Sequence, residues 1–217
     1  MCNKRTGAIQ SFYIAYKEDN DMAKGALNVT FQNEAQVVKQ LNSLPDGGEK
    51  ALKGTISQLR TRTPAWVAQE VSSVFGIKKA EIKQSASKEG AGSVSLAGKT
   101  IDSLYLVYRG RVLTPTHFGM TPKARPAGNR RYTVKASIFK GQKKALGSKV
   151  FLGASGSEGT THIPFQRETS ARLPIQAVKT LSIPQMIDNE KVNAAIYERI
   201  ETEAAKVLEN QIKRFMK

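Results

Sequence analysis

The stretch LPIQAVK at residues 173–179, running on into TLSIPQM at residues 180–186, decides how the rest of the chain is read. Its first half has the character of a short strand, and its second half is written as a helix start. Ser182 and Gln185 stand at the reciprocal capping-box spacing, and Pro184 falls in the first turn, where a missing N–H costs nothing. A helix is therefore expected from Ile183 or Pro184 onward. Val192, Ile196, Ile200, Ala204, Val207, Leu208, Ile212 and Phe215 recur at steps of three and four, which places them on one stripe. Glu190, Glu198, Glu201 and Glu203 crowd the first half, while Lys213, Arg214 and Lys217 close it, so both ends suit the helix dipole. Such a helix extends about 45 Å, whereas a strand of five or six residues spans only about 17–20 Å. The segment from Glu203 is accordingly expected to project, leaving Val207, Leu208, Ile212 and Phe215 as a candidate subunit interface.

Working back from this stretch, residues 104–108, 132–139, 150–152 and 161–166 alternate or run β-branched and aromatic, and Pro- and Gly-containing loops separate them. Those intervals favour antiparallel hairpins over parallel crossovers. Residues 85–98, rich in Ser, Gly and Ala, read as a flexible loop. Before it, Ala51, Leu52, Ile56 and Leu59 begin a helical stripe that resumes as Trp66, Val67, Val71, Val74 and Phe75. Pro64 lies between the halves and predicts a kink, or a restart capped by Thr63. Residues 77–83 add two more turns. Further back, residues 27–31 alternate as a strand does. Asn33 and Gln36 then open a short helix through Val37, Val38, Leu41 and Leu44.

The fold class is α+β, with N-terminal helices, a basic antiparallel β-sheet and a long C-terminal helix. Residues 1–48 read as an extension, an arm or loose strand followed by the short helix. Residues 49–217 read as one domain, with helices over 49–84, the loop 85–98, a β-rich part 99–180 and the closing helix 183–216.

With 217 residues, 40% of them hydrophobic, the chain can bury a core of its own. The first residues mix charged and polar groups without an apolar run, so neither a signal peptide nor a membrane span is expected, and synthesis and use in the cytosol are. Cys2, the single cysteine, excludes an internal disulfide framework and a cysteine-based zinc site. The net charge of +16 is unevenly spread. Residues 1–48 and 188–217 each balance to zero, whereas residues 99–149 hold twelve Lys or Arg against Asp102 alone. A cluster so one-sided repels itself unless a polyanion or an acidic partner is near, and nucleic acid is the first candidate.

Catalytic chemistry finds little to work with. His117 and His162 each stand alone in sequence, without a carboxylate or second ligand at metal spacing, and read as structural histidines. The Gly/Ser run at residues 153–159 fits neither phosphate-loop spacing nor a nucleophile elbow, and reads as a hairpin loop. Phe118, Tyr132 and Phe139 interleave the basic residues but are expected in the core. A nuclease would need carboxylates clustered beside the basic region, and Asp102 has no companion there.

Taken together, ARLPI at residues 171–175 followed by LSIPQM at 181–186, GIKK at 76–79, LTPTHFG at 113–119 and LENQIKRF at 208–215 resemble the minor tail protein Z family of long-tailed bacteriophages and prophages. The resemblance runs from about Ala51 to the end. It implies a tail-completion protein, a structural component of the virion at the head-proximal end of the tail, assembled in the host cytoplasm. Its implied partners are copies of itself in a sixfold ring, other tail and neck proteins, and phage DNA passing through without sequence readout. It implies no enzymatic activity, no cofactor and no membrane. The residues themselves, rather than the resemblance, nominate Arg109, Arg111, Lys123, Arg125, Arg130, Arg131 and Lys135 as the DNA-facing group. A cytosolic protein that binds nucleic acid without sequence preference is the alternative, and it would use the same cluster.

Overall fold

The capping box forms as its spacing predicts. In a computed structural model that describes residues 22–28, 47–83, 92–100, 103–128, 131–155 and 161–215, the Ser182 N–H donates to Gln185 Oε1 (2.9 Å) and the Gln185 N–H donates to Ser182 Oγ (3.3 Å). Helix α3 (Ile183–Ile187) opens there, and the stretch before it stitches the fold together. Strand β8 (Ile175–Ala177) belongs to one sheet, whereas residues 180–182 pair with the end of another: Thr180 N–H donates to Leu113 C=O (2.7 Å) and Leu113 N–H to Leu181 C=O (3.2 Å).

The single long helix of the sequence reading is two helices. After α3 the chain bends at Asp188 and Asn189, and α4 (Glu190–Phe215) begins afresh. Four of the five residues of α3, Ile183, Pro184, Met186 and Ile187, are buried, whereas α4 buries only a stripe. One straight axis cannot present both patterns to the core. Asp188 at the bend also accepts a hydrogen bond from Tyr108 OH (2.7 Å), which holds it to the neighbouring sheet.

Helix α1 (Gly47–Val74) runs unbroken through Pro64, so no restart occurs at Thr63. Burial of Leu59, Thr63, Val67, Ala68 and Val71 along one side sustains the helix across the missing N–H. At 28 residues it extends about 42 Å, long enough to lie along all of α4. The two helices are antiparallel: Ala51 and Leu52 near the start of α1 pack with Leu208 and Ile212, while Glu70 near its end pairs with Arg199. Val207, Leu208 and Ile212 are therefore 2%, 3% and 6% exposed. The expected projecting stripe is covered by the protein's own α1, and of its four proposed interface residues only Phe215 is exposed. Val192, Ile196, Ile200 and Ala204 complete the buried face.

Among the described residues three small antiparallel sheets make up the β part. The first orders β1 (Met22–Asn28), β3 (Tyr105–Arg111) and β2 (Gly92–Ala97), with β3 central. β1 thus ties part of the expected extension into this sheet, pairing Met22 with Arg111 through Asn28 with Tyr105. β2 occupies part of the segment read as a flexible loop. Val94 and Leu96, two apart, reach the core while Ser95 faces out, so a strand with one buried face forms despite small neighbours. The second sheet is the pair β4 (Lys135–Ala136) and β5 (Lys144–Ala145), to which the expected strand 132–139 contracts. The third orders β6 (Val150–Ser155), β7 (Thr161–Arg167) and β8. Residues 153–155, read as loop, extend β6. Short helix α2 (Lys79–Lys83) follows a break after α1, in place of two continuous turns. The expected helix over 33–44 lies outside the described residues.

Candidate nucleic-acid interface

The first sheet presents basic groups by simple alternation. Leu106, Tyr108 and Gly110 of β3 point inward, so Tyr105, Val107, Arg109 and Arg111 share the opposite face. Tyr105 is 40% exposed, and both arginines are exposed. An exposed aromatic ring and two guanidinium groups along one strand face can meet phosphate and base surfaces without reading sequence.

The remaining nominated residues stand elsewhere. Lys123 and Arg125 are exposed on the loop that follows a 3-10 turn (Pro115–Phe118). That loop is pinned at its start, where Thr121 and Lys135 exchange backbone hydrogen bonds of 2.8 Å each. Lys135 and Arg131 are exposed, and Arg130 lies outside the described residues. The six of these residues that are described therefore divide among the first sheet, the β4–β5 pair and the connecting loops.

Two clefts gather residues that the linear reading left apart. One, of about 470 Å³, is lined by Arg125, Tyr132, Phe151, Arg167, Arg172 and Leu173, among others. The Arg167 guanidinium lies over the Phe151 ring, 5.2 Å from its centroid. Phe151 in turn stacks on Phe165 at 6.2 Å. Gly153 makes room for this packing, because a Cβ there would come within 2.7 Å of the Phe165 ring. Tyr132 closes the other side, its hydroxyl accepting the Leu152 N–H at 3.0 Å. Arg167 and Arg172 fall beyond the charge-rich window of residues 99–149. The hairpin return of β7 and β8, which no charge count reveals, brings them to Arg125.

The second cleft, of about 510 Å³, is lined by Lys78, Glu81, His117, Lys123 and His162 together with Gly76, Thr116, Gly119 and Met120. His117 is not alone: its Nδ1 lies 2.6 Å from Glu81 Oε2, across 36 positions of sequence. The short helix α2 supplies the carboxylate and the 3-10 turn supplies the imidazole. Neither has a local partner, which is why spacing missed the pair. Among the described residues no group of three or more His, Cys, Asp or Glu is arranged to hold a metal ion. Nor, among them, is any helix long and apolar enough to cross a membrane.

No protein-family model, curated protein or solved structure matches this chain.

Proposed function

We propose that the chain is a structural protein of a long-tailed phage or prophage, one subunit of a sixfold ring that completes the head-proximal end of the tail, joins it to the head and lets DNA pass. The observation that carries this reading is the open face of β3, which Arg109, Arg111 and Tyr105 share, all exposed, on a chain of net charge +16. A surface of this kind suits a passing duplex, which offers phosphates at every position and demands no base contact. The resemblance of residues 171–186 and 113–119 to tail-completion proteins supplies the setting.

Tail assembly and DNA delivery test it. With Arg109, Arg111, Arg131 and Lys135 replaced by Gln, tails should still assemble while DNA positioning or delivery fails. Each lost phosphate contact should also lower the slope of log affinity against log salt by about 0.9. Variants that fold but never join tails would point to an acidic partner protein at this surface. Tight, salt-steep duplex binding by isolated monomers that never enter virions would favour the free nucleic-acid-binding protein.

A further inference from the structure

The third sheet has an unfinished edge. Among the described residues β8 pairs with β7 on one side only, and it ends the sheet. The bonds Val178 N–H to Pro164 C=O (2.8 Å) and Glu168 N–H to Pro174 C=O (3.5 Å) fix which rungs are hydrogen-bonded. By antiparallel alternation these are residues 174, 176 and 178, so Ile175 and Ala177 direct both N–H and C=O away from β7. Two donors and two acceptors therefore point off the edge of the sheet. Beside them Leu173 is 67% and Ile175 37% exposed. Arg167 lies directly opposite Ile175 in register, and Arg125 and Arg172 complete the adjoining cleft. An occupant that satisfies all three features offers main-chain hydrogen bonds, apolar side chains and carboxylates at once. Nucleic acid offers no strand backbone for Ile175 and Ala177, so an extended peptide fits better.

The chain itself contains such a peptide. In FYIAYKEDND, residues 12–21, Phe12, Ile14 and Tyr16 alternate as one face of a strand. Glu18, Asp19 and Asp21 follow after Lys17 and form the densest acidic run of the sequence. We infer that this N-terminal segment of a neighbouring copy adds as a strand to the edge of β8, its apolar face covering Leu173 and Ile175 and its carboxylates meeting Arg125, Arg167 and Arg172. A two-fold contact of the cleft with itself would set these arginines against their own copies. An arm meeting a different surface on the next subunit is a heterologous contact, the kind that closes a ring. The inference rests on the ring reading for its symmetry alone. It is tested on the purified protein, so a virion that lacks the protein would defeat the tail reading without touching this result.

The experiment uses the full chain with Cys2→Ser, so that cysteines stand only where they are placed. Ala15→Cys is introduced in one preparation and Gln176→Cys, on the matching face of β8, in another; the two are mixed and treated with a short bismaleimide, and linked dimers are read on a denaturing gel. The mixture should give dimers. Arg167→Glu with Arg172→Glu, at exposed positions where folding is checked by circular dichroism, should cut the linked fraction about tenfold. Adding Glu18→Arg and Asp19→Arg to the partner should restore it. The inference is wrong if the mixture gives no dimer. It is equally wrong if charge reversal changes nothing. A single-stranded oligonucleotide that blocks linking, and whose binding is lost on the same charge reversal, would make the cleft a nucleic-acid site and also overturn the inference.

Discussion

Gly76 leaves no room for a side chain: a Cβ at that position would stand 1.9 Å from the carbonyl oxygen of Ser137. Its own N–H donates to Ile138 C=O at 2.9 Å, so the end of α1 is fastened to the segment that follows β4. Because the obstacle is backbone, relaxation must move a whole segment, and Gly76→Ala should cost about 3 kcal/mol. Denaturant unfolding with an unchanged slope would measure this, and a loss below about 0.5 kcal/mol would show that the two segments part easily. The sequence marks Gly76 as a helix end but cannot tell a terminating glycine from one required by close approach. Tyr197 on α4 makes a second residue-scale case. Burial, reinforced by the Glu201 carboxylate, pushes its phenol up to about 12 from an ordinary value of 10.0. The neutral phenol is the form that the fold favours. Its contribution to stability is therefore whole below pH 10 and is lost as pH rises through about 12. Stability measured over that alkaline window should fall less steeply in Tyr197→Phe, and parallel slopes for the two proteins would contradict the assignment.

At the scale of elements, the pairing of α1 with α4 changes what the C-terminal helix is for. A stripe of apolar residues says that a helix face is covered and leaves open what covers it. Pro64 predicts a kink or a restart, whereas α1 runs unbroken, and Ala51 and Leu52 near its start pack on Leu208 and Ile212. Gly54 leaves room for the Gln211 side chain, since a Cβ there would lie 2.7 Å from Gln211 Oε1, and Gln211 is only 5% exposed. Leu208→Ala should consequently destabilise the isolated protein by about 2–5 kcal/mol, as core truncations do. A chain ending at Thr202 should be unfolded or nearly so, because it loses Ala204, Val207, Leu208 and Ile212 together. Thermal and denaturant unfolding of the two variants decide the matter. A truncated chain that unfolds as cooperatively as the full one would return this segment to the role of an interface. The capping box at Ser182, the end charges of α4 and the antiparallel hairpins were legible because each is written in residues a few positions apart. The bend at Asp188 was not, since its cause includes a hydrogen bond from Tyr108, which is 80 residues away.

For the molecule as a whole, the excess of positive charge is plain in the sequence but its arrangement is not. The twelve basic residues between positions 99 and 149 suggested one surface. The chain instead sets Arg109 and Arg111 on the first sheet, Lys135 on the second, and Lys123 and Arg125 at two different clefts. Distances of that kind depend on how three sheets are joined, which local pattern does not encode. In the proposed ring, repetition around an axis would bring these separate groups into continuous bands, so a monomer need not carry a finished DNA groove. The open edge of β8 would supply the contact between neighbours that the buried face of α4 cannot. Electron cryo-microscopy of the tails in which the chain is proposed to act tests this most directly. The account predicts a ring of this fold at the head-proximal end of the tail tube, with the outward face of β3 toward the DNA path. Tails complete and joined to heads without the protein anywhere in the particle would contradict it.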